Sequence, residues 1–117
     1  MSGSVSYHAG LAAEDSVARH YGDTGRAVVA RRWRGKGGEI DVIARDGDDT
    51  VFVEVKKSGS HGAAALRLGQ RQVRRLMDCA GEYMGTLPGG LLSPVRFDVA
   101  LVDGSGRIEI IENAIAC

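Results

Sequence analysis

The sequence predicts an α/β domain in which a mixed central β-sheet is flanked by helices. Three patterns predict it. Two runs of alternating residues, Glu39 to Arg45 and Val51 to Lys56, flank an Asp46-Gly47-Asp48-Asp49 turn and read as a β-hairpin. One stretch of helical periodicity precedes the hairpin and another follows it. A second pair of strand-like runs closes the chain, giving the order helix, three strands, helix, two strands.

Taken in order, residues 1–6 are small and polar and are expected to be disordered. From about His8 to Tyr21, Leu11, Val17, Ala18 and Tyr21 share one helical face, with Glu14 in its middle. An acid within an apolar stripe is costly unless it reaches water, is paired or coordinates something. Gly22 to Gly25 ends the helix. Arg26 to Arg34 follows as a strand, with Trp33 either a core anchor or a platform for stacking a base. Gly35-Lys36-Gly37-Gly38 contains G-x-G, but no helix follows it, so it reads as a turn rather than a phosphate cradle. After the hairpin, Lys57 to Gly62 is a loop that leaves the candidate site and carries His61, a candidate for substrate contact or simply a solvated histidine. A helix is expected from about Leu66 to Met84, with Leu66, Val73, Leu76, Met77, Ala80 and Met84 as its core face. Val95 to Val102 and Arg107 to Ile111 form the last two strands, joined by an Asp103-Gly104-Ser105-Gly106 turn.

The hairpin register carries the chemistry. With the turn at residues 46–49, Ala44 faces Val51, Val42 faces Val53 and Ile40 faces Val55, an apolar face that must be buried. The other face sets Ile43 against Phe52, Asp41 against Glu54 and Glu39 against Lys56. Directly opposed like charges destabilise a sheet, by roughly 4 kcal/mol of repulsion for a surface pair about 4 Å apart. A hard divalent cation such as Mg²⁺ turns that repulsion into attraction. The alternative is a solvated sheet face with a Glu39–Lys56 pair and an accidental acidic neighbour.

The 117 residues suit a single domain over 1–117, with an ordinary 44% hydrophobic and 26% charged content. The absence of a long apolar run or a signal-peptide pattern predicts no membrane partner. Cys79 and Cys117 make no disulfide framework, which fits a reducing cytoplasm, and the three histidines show no zinc spacing. Net charge is zero, but its distribution is uneven. Arg31, Arg32, Arg34 and Lys36 cluster before the hairpin, Lys57 follows it, and Arg67, Arg71, Arg74 and Arg75 line the outer side of the second helix. Such segregation builds a basic face for nucleic acid, or simply a solvated one.

Gly38-Glu39-Ile40-Asp41 followed by Val53-Glu54-Val55-Lys56 resembles the D…(D/E)-x-K pattern of restriction-endonuclease-like nucleases. With Ala13-Glu14-Asp15, Gly37 to Arg45, Arg96-Phe97-Asp98-Val99 and Ile110 to Ala114, most of the chain resembles the YraN family of small bacterial proteins. The resemblance implies a restriction-endonuclease-like core similar to archaeal Holliday-junction resolvases. It also implies a site in which Glu14, Asp41, Glu54 and Lys56 are catalytic. The metal, Mg²⁺ or Mn²⁺, would be held by Asp41, Glu54, Glu14 and the backbone carbonyl of Val55. The chain departs from the family at Lys57-Ser58, where a Thr-Arg-like pair is usual, and at Gln70 to Val73, where Pro-x-Lys-Gln is usual. Both departures bear on substrate contacts.

The expected function is therefore a metal-dependent endonuclease acting on branched or structured DNA, with DNA favoured over RNA and a C2 homodimer natural for paired cuts. The rival is a non-catalytic nucleic-acid-binding or protein-interaction module on the same scaffold.

Overall fold

Five strands form one sheet in the order β1-β2-β3-β4-β5. They are β1 (Ala27–Arg34), β2 (Glu39–Asp46), β3 (Asp49–Lys57), β4 (Val95–Val102) and β5 (Ile108–Ile111). All neighbours are antiparallel except β3 and β4, which run parallel. A parallel pair needs a crossover, and this one contains helix α2 (Gln70–Met84). Helix α1 (Ser2–Asp23) precedes the sheet, and a short 3-10 helix, Gly90–Leu92, leads into β4. The computed structural model describes residues 2–57 and 69–115.

The fold is thus α/β, a mixed sheet with helices packed on it, consistent with a restriction-endonuclease-like core. On one face Ala13, Val17 and Tyr21 of α1 pack on Val42, Ala44, Val51, Val53, Ala100 and Val102. On the other, Leu76, Cys79, Ala80 and Met84 of α2 pack on Ile43, Phe52 and Phe97. The apolar alternation of β2 and β3 therefore feeds two cores. α1 begins at Ser2, upstream of the apolar pattern that marks it, because backbone hydrogen bonding propagates a helix without needing a buried face.

Gly47 takes the positive φ, 61°, that a tight hairpin turn demands. The register Arg45↔Thr50, Ala44↔Val51, Ile43↔Phe52 and Val42↔Val53 is the expected one. It stops there. One step on, the Asp41 carboxylate accepts the Val55 N–H at 2.8 Å. That N–H would otherwise meet a main-chain carbonyl of β2. The expected cross-strand pairs Asp41–Glu54, Ile40–Val55 and Glu39–Lys56 are accordingly replaced by a notch between diverging strands.

β2 instead keeps its pairing with β1, through Trp33↔Ile40 and Arg34↔Glu39. Between Arg31↔Val42 and Trp33↔Ile40 stand Arg32 and Asp41, and Arg32 has φ 51°. The alternation of β2 breaks at this point. Val42 belongs to the α1 core, yet Ile40 packs in the α2 core, where simple alternation would not send it. Trp33 packs there too, edge-on to Tyr83 at 5.5 Å, as a core anchor.

Candidate functional site

The notch brings Asp41 and Glu54 together. Asp41 is fixed by its bond to Val55 in β3. Glu54, on the α2 side of β3, accepts a hydrogen bond from the Gln72 amide of α2. An extended residue sends its N–H and C=O off the same edge of the strand, so the Val55 carbonyl also opens on the notch. Glu39, Asp41, Glu54, Gln72, Arg75 and Leu76 line a cleft of about 170 Å³.

Burial dominates the electrostatics. It pushes the Glu54 carboxyl up to about 7, and the Asp41 charge adds to this, while the Gln72 hydrogen bond, Lys56 and Arg75 oppose it. Asp41 is also raised, by burial first, against the Val55 hydrogen bond and with the help of the Glu39 charge. Glu14 is raised by burial and then by Asp41.

Glu14 stands apart from the cleft lining. Its Oε1 is buried and makes no hydrogen bond among the described residues. The nearest cation, Arg32 Nε, lies 3.6 Å away, while the same nitrogen is 3.3 Å from Glu39. Among the described residues, no three His, Cys, Asp or Glu side chains are gathered as a metal-holding group. The donor set still fits a hard cation. Three half-buried carboxylates, Glu39, Asp41 and Glu54, line one cleft, and Glu14 outside it keeps a buried oxygen with no hydrogen-bond donor among the described residues. Mg²⁺ is commonly held by one or two carboxylates, with water and phosphate completing the shell.

The model of an uncharacterised protein family, UPF0102, matches residues 13–102, a span that includes Glu14, Asp41, Glu54 and Lys56. The chain belongs to this family. A UPF0102 protein of Cereibacter sphaeroides (strain KD131 / KCTC 12085) is 60% identical over 116 residues, covering 99% of both chains. One from Ruegeria pomeroyi is 56% identical over 112 residues, 96% of this chain and 91% of the relative. One from Dinoroseobacter shibae is 46% identical over 104 residues, 89% and 78% of the two chains.

In this UPF0102 chain the basic residues divide into two groups. Those of β1 are engaged: Arg31 bonds Asp15, Arg32 lies between Glu14 and Glu39, and Arg34 is 3.4 Å from Glu39. Lys36, Arg71, Arg74 and Arg75 are exposed, and their side chains make no ion pair among the described residues. Lys57 faces the α1 side, beside Ala13, Ser16 and Val102, away from the acids. Lys56 is half-buried and lowers Glu54 through its charge. Arg67 and His61 lie outside the described residues. No described helix of this UPF0102 protein is long and apolar enough to cross a membrane.

Sequence reasoning missed Gln72 as a partner of Glu54. Its signal was available, because Gln72 stands one turn before Leu76 on the buried stripe of α2. It also missed the role of Asp98, an acid inside the apolar run of β4. Asp98 is buried and accepts from Tyr21 Oη at 2.7 Å, Arg96 Nε at 2.9 Å and the Asn113 N–H at 3.0 Å. This is a structural staple on the α1 side of the sheet.

Proposed function

We propose that this UPF0102 protein is a metal-dependent endonuclease acting on DNA, with branched or structured DNA as its substrate class. The observation that carries the reading is the notch, where the main chain parts so that two carboxylates, both raised by burial, open on one cleft beside Lys56 and Arg75. A sheet built only for stability would not place two acids at facing positions of neighbouring strands, where like charges repel.

Asp41, Glu54 and the Val55 carbonyl would hold Mg²⁺ or Mn²⁺, with Glu14 behind Asp41. Bound there, the ion supplies Lewis-acid polarisation of a phosphoryl oxygen and acidifies water. The chain's own groups do the rest. Asp41 is oriented by Val55, and Glu54 by Gln72. Lys56 orients the attacking water and stabilises charge developing on phosphorus. Lys36, Arg71, Arg74 and Arg75 neutralise the flanking backbone, so binding weakens with salt. Paired cuts call for a C2 dimer, which light scattering would register as twice the chain mass.

The separation of Glu14 from the cleft favours a second reading, a nucleic-acid-binding module that does not cut. Cleavage of labelled four-way junction, flap, single-stranded and duplex DNA, with Mg²⁺, Mn²⁺ or EDTA, separates the two. The nuclease reading expects metal-dependent cutting that Glu54→Ala and Lys56→Ala each reduce at least about 100-fold, the usual scale for a positioned catalytic group. Binding without cutting would establish the second reading. Cutting that survives both substitutions would refute the assigned site.

A further inference from the structure

Three hollows meet at Arg75. It lines the acid cleft, a hollow along the β1–β2 loop from Arg34 to Glu39, and a hollow on the outer face of α2 beside Arg71 and Arg74. The loop is pinned to α2 by Glu82, whose two carboxylate oxygens accept the Lys36 N–H at 2.7 and 3.0 Å. Two of its glycines are explained by this docking. A Cβ on Gly35 would lie 2.1 Å from Glu82 Oε1, and Gly38 has φ 151°. Gly37 is under neither constraint: its φ is not in the left-handed region, and a Cβ there would meet Asp78 at 3.4 Å, an ordinary contact. Gly37 is exposed, and the amides of Gly37 and Gly38 donate to no acceptor among the described residues. The loop therefore offers two backbone N–H groups with no acceptor among the described residues, beside Lys36 and Arg75, whose side chains make no ion pair among those residues. The nearby acids are occupied or set aside: Glu82 holds the Lys36 N–H, and Asp78 lines only the α2 hollow.

We propose that the Gly35–Gly38 loop and Arg75 form a second anion subsite, which seats a phosphodiester of a nucleic-acid strand next to the one in the acid cleft. This rests on the nucleic-acid reading above and adds where the strand runs. No helix stands behind the loop to supply a dipole. Positive charge comes instead from Lys36 on the loop and Arg75 across the hollow, and successive free amides make a concavity suited to an anion. Arg71 and Arg74, with no ion pair among the described residues, continue the same charge along α2, which suits a polyanion rather than a single small anion. The strand thus runs along α2, passes Arg75 and reaches the loop, and its hold there sets which phosphate lies over Asp41 and Glu54. Arg31 and Arg32 of β1, already bound to acids, line none of these three hollows, whereas Arg34 stands at the edge of the loop hollow, 3.4 Å from Glu39.

The test is fluorescence anisotropy of a fluorescein-labelled DNA single strand and of a labelled four-way junction, in EDTA, across a salt series. Lys36→Ala and Arg75→Ala should each weaken binding roughly 5-fold or more and reduce the slope of log K against log salt by about 0.7–0.9, the loss of one phosphate contact. Arg19→Ala, an equal charge change exposed on α1 at the opposite face, should leave the slope unchanged. Unchanged melting temperatures show that the variants are folded. Salt-sensitive binding by the wild type with the same slope in both variants would overturn the subsite and leave the nuclease reading standing. A wild type that binds neither DNA would overturn both.

Discussion

Asp41 does two things with one side chain. Its Oδ2 replaces a main-chain acceptor for Val55, and its charge raises both Glu14 and Glu54. Asp41→Asn keeps an oxygen for the Val55 N–H and removes the charge. In EDTA it should therefore stabilise the protein by about 1 kcal/mol, roughly 4 °C in melting temperature. It should also abolish the rise that Mn²⁺ gives the wild type. A melting curve that ignores the substitution and keeps the metal response would contradict this. Glu54 gives a pH signature. Its carboxyl is raised from 4.5 to about 7 in the folded protein, so the folded state binds the proton more tightly than the unfolded one. Its contribution is fully present below about pH 4.5 and is lost as pH rises through 7, amounting to no more than about 3 kcal/mol. Denaturation in urea and EDTA should show this fall in the wild type and a flatter profile in Glu54→Gln. Both acids were legible in the sequence through their alternation with apolar residues. The capture of Val55 was not, because a side chain that substitutes for a ladder acceptor leaves no mark on periodicity.

At the scale of elements, α2 is the wall shared by the site and the glycine loop. Gln72, Arg75, Cys79 and Glu82 follow one another along it, and they meet Glu54, the acid cleft, Gly37 with Gly38, and Lys36 in turn. The opposite face is fastened by Asp98. Asp98→Ala would take from Arg96, whose side chain is 14% exposed, one of its two acid partners, leaving Asp46 at 3.0 Å, and would free the Tyr21 hydroxyl, so it should cost about 3 kcal/mol in urea denaturation. Tyr21→Phe removes one of several donors and should cost about 1–2 kcal/mol. Equal losses would show that the staple does not hang on the ion pair. Thr50 is different: its Oγ1 is buried without a hydrogen-bond partner among the described residues, so Thr50→Val should be neutral or stabilising. Element order, the hairpin turn and all five strands could be read from the sequence because apolar period and turn residues agree there. The break in β2 could not. It depends on Arg32 at φ 51°, a conformation rare for arginine that only the tertiary setting of two acids sustains.

Across the whole molecule, zero net charge hides a division that sequence counting alone does not reveal. The arginines of β1 are consumed by Asp15, Glu14 and Glu39, whereas those of α2 make no ion pair among the described residues. Which basic residues meet a polyanion is thus decided by packing, since only the fold places acids beside one set. The same holds for the acids: spacing marks Asp41, Glu54 and Glu14, but only the diverging strands decide that the first two share a cleft and the third stands behind. The central claim is that this cleft takes a divalent cation. A Mn²⁺ titration followed by electron paramagnetic resonance tests it most directly, on the wild type beside Asp41→Asn and Glu54→Gln. The account predicts saturable binding by the wild type that is lost, or weakened at least about tenfold, in both variants. Equal binding by all three proteins, or none by the wild type, would contradict it.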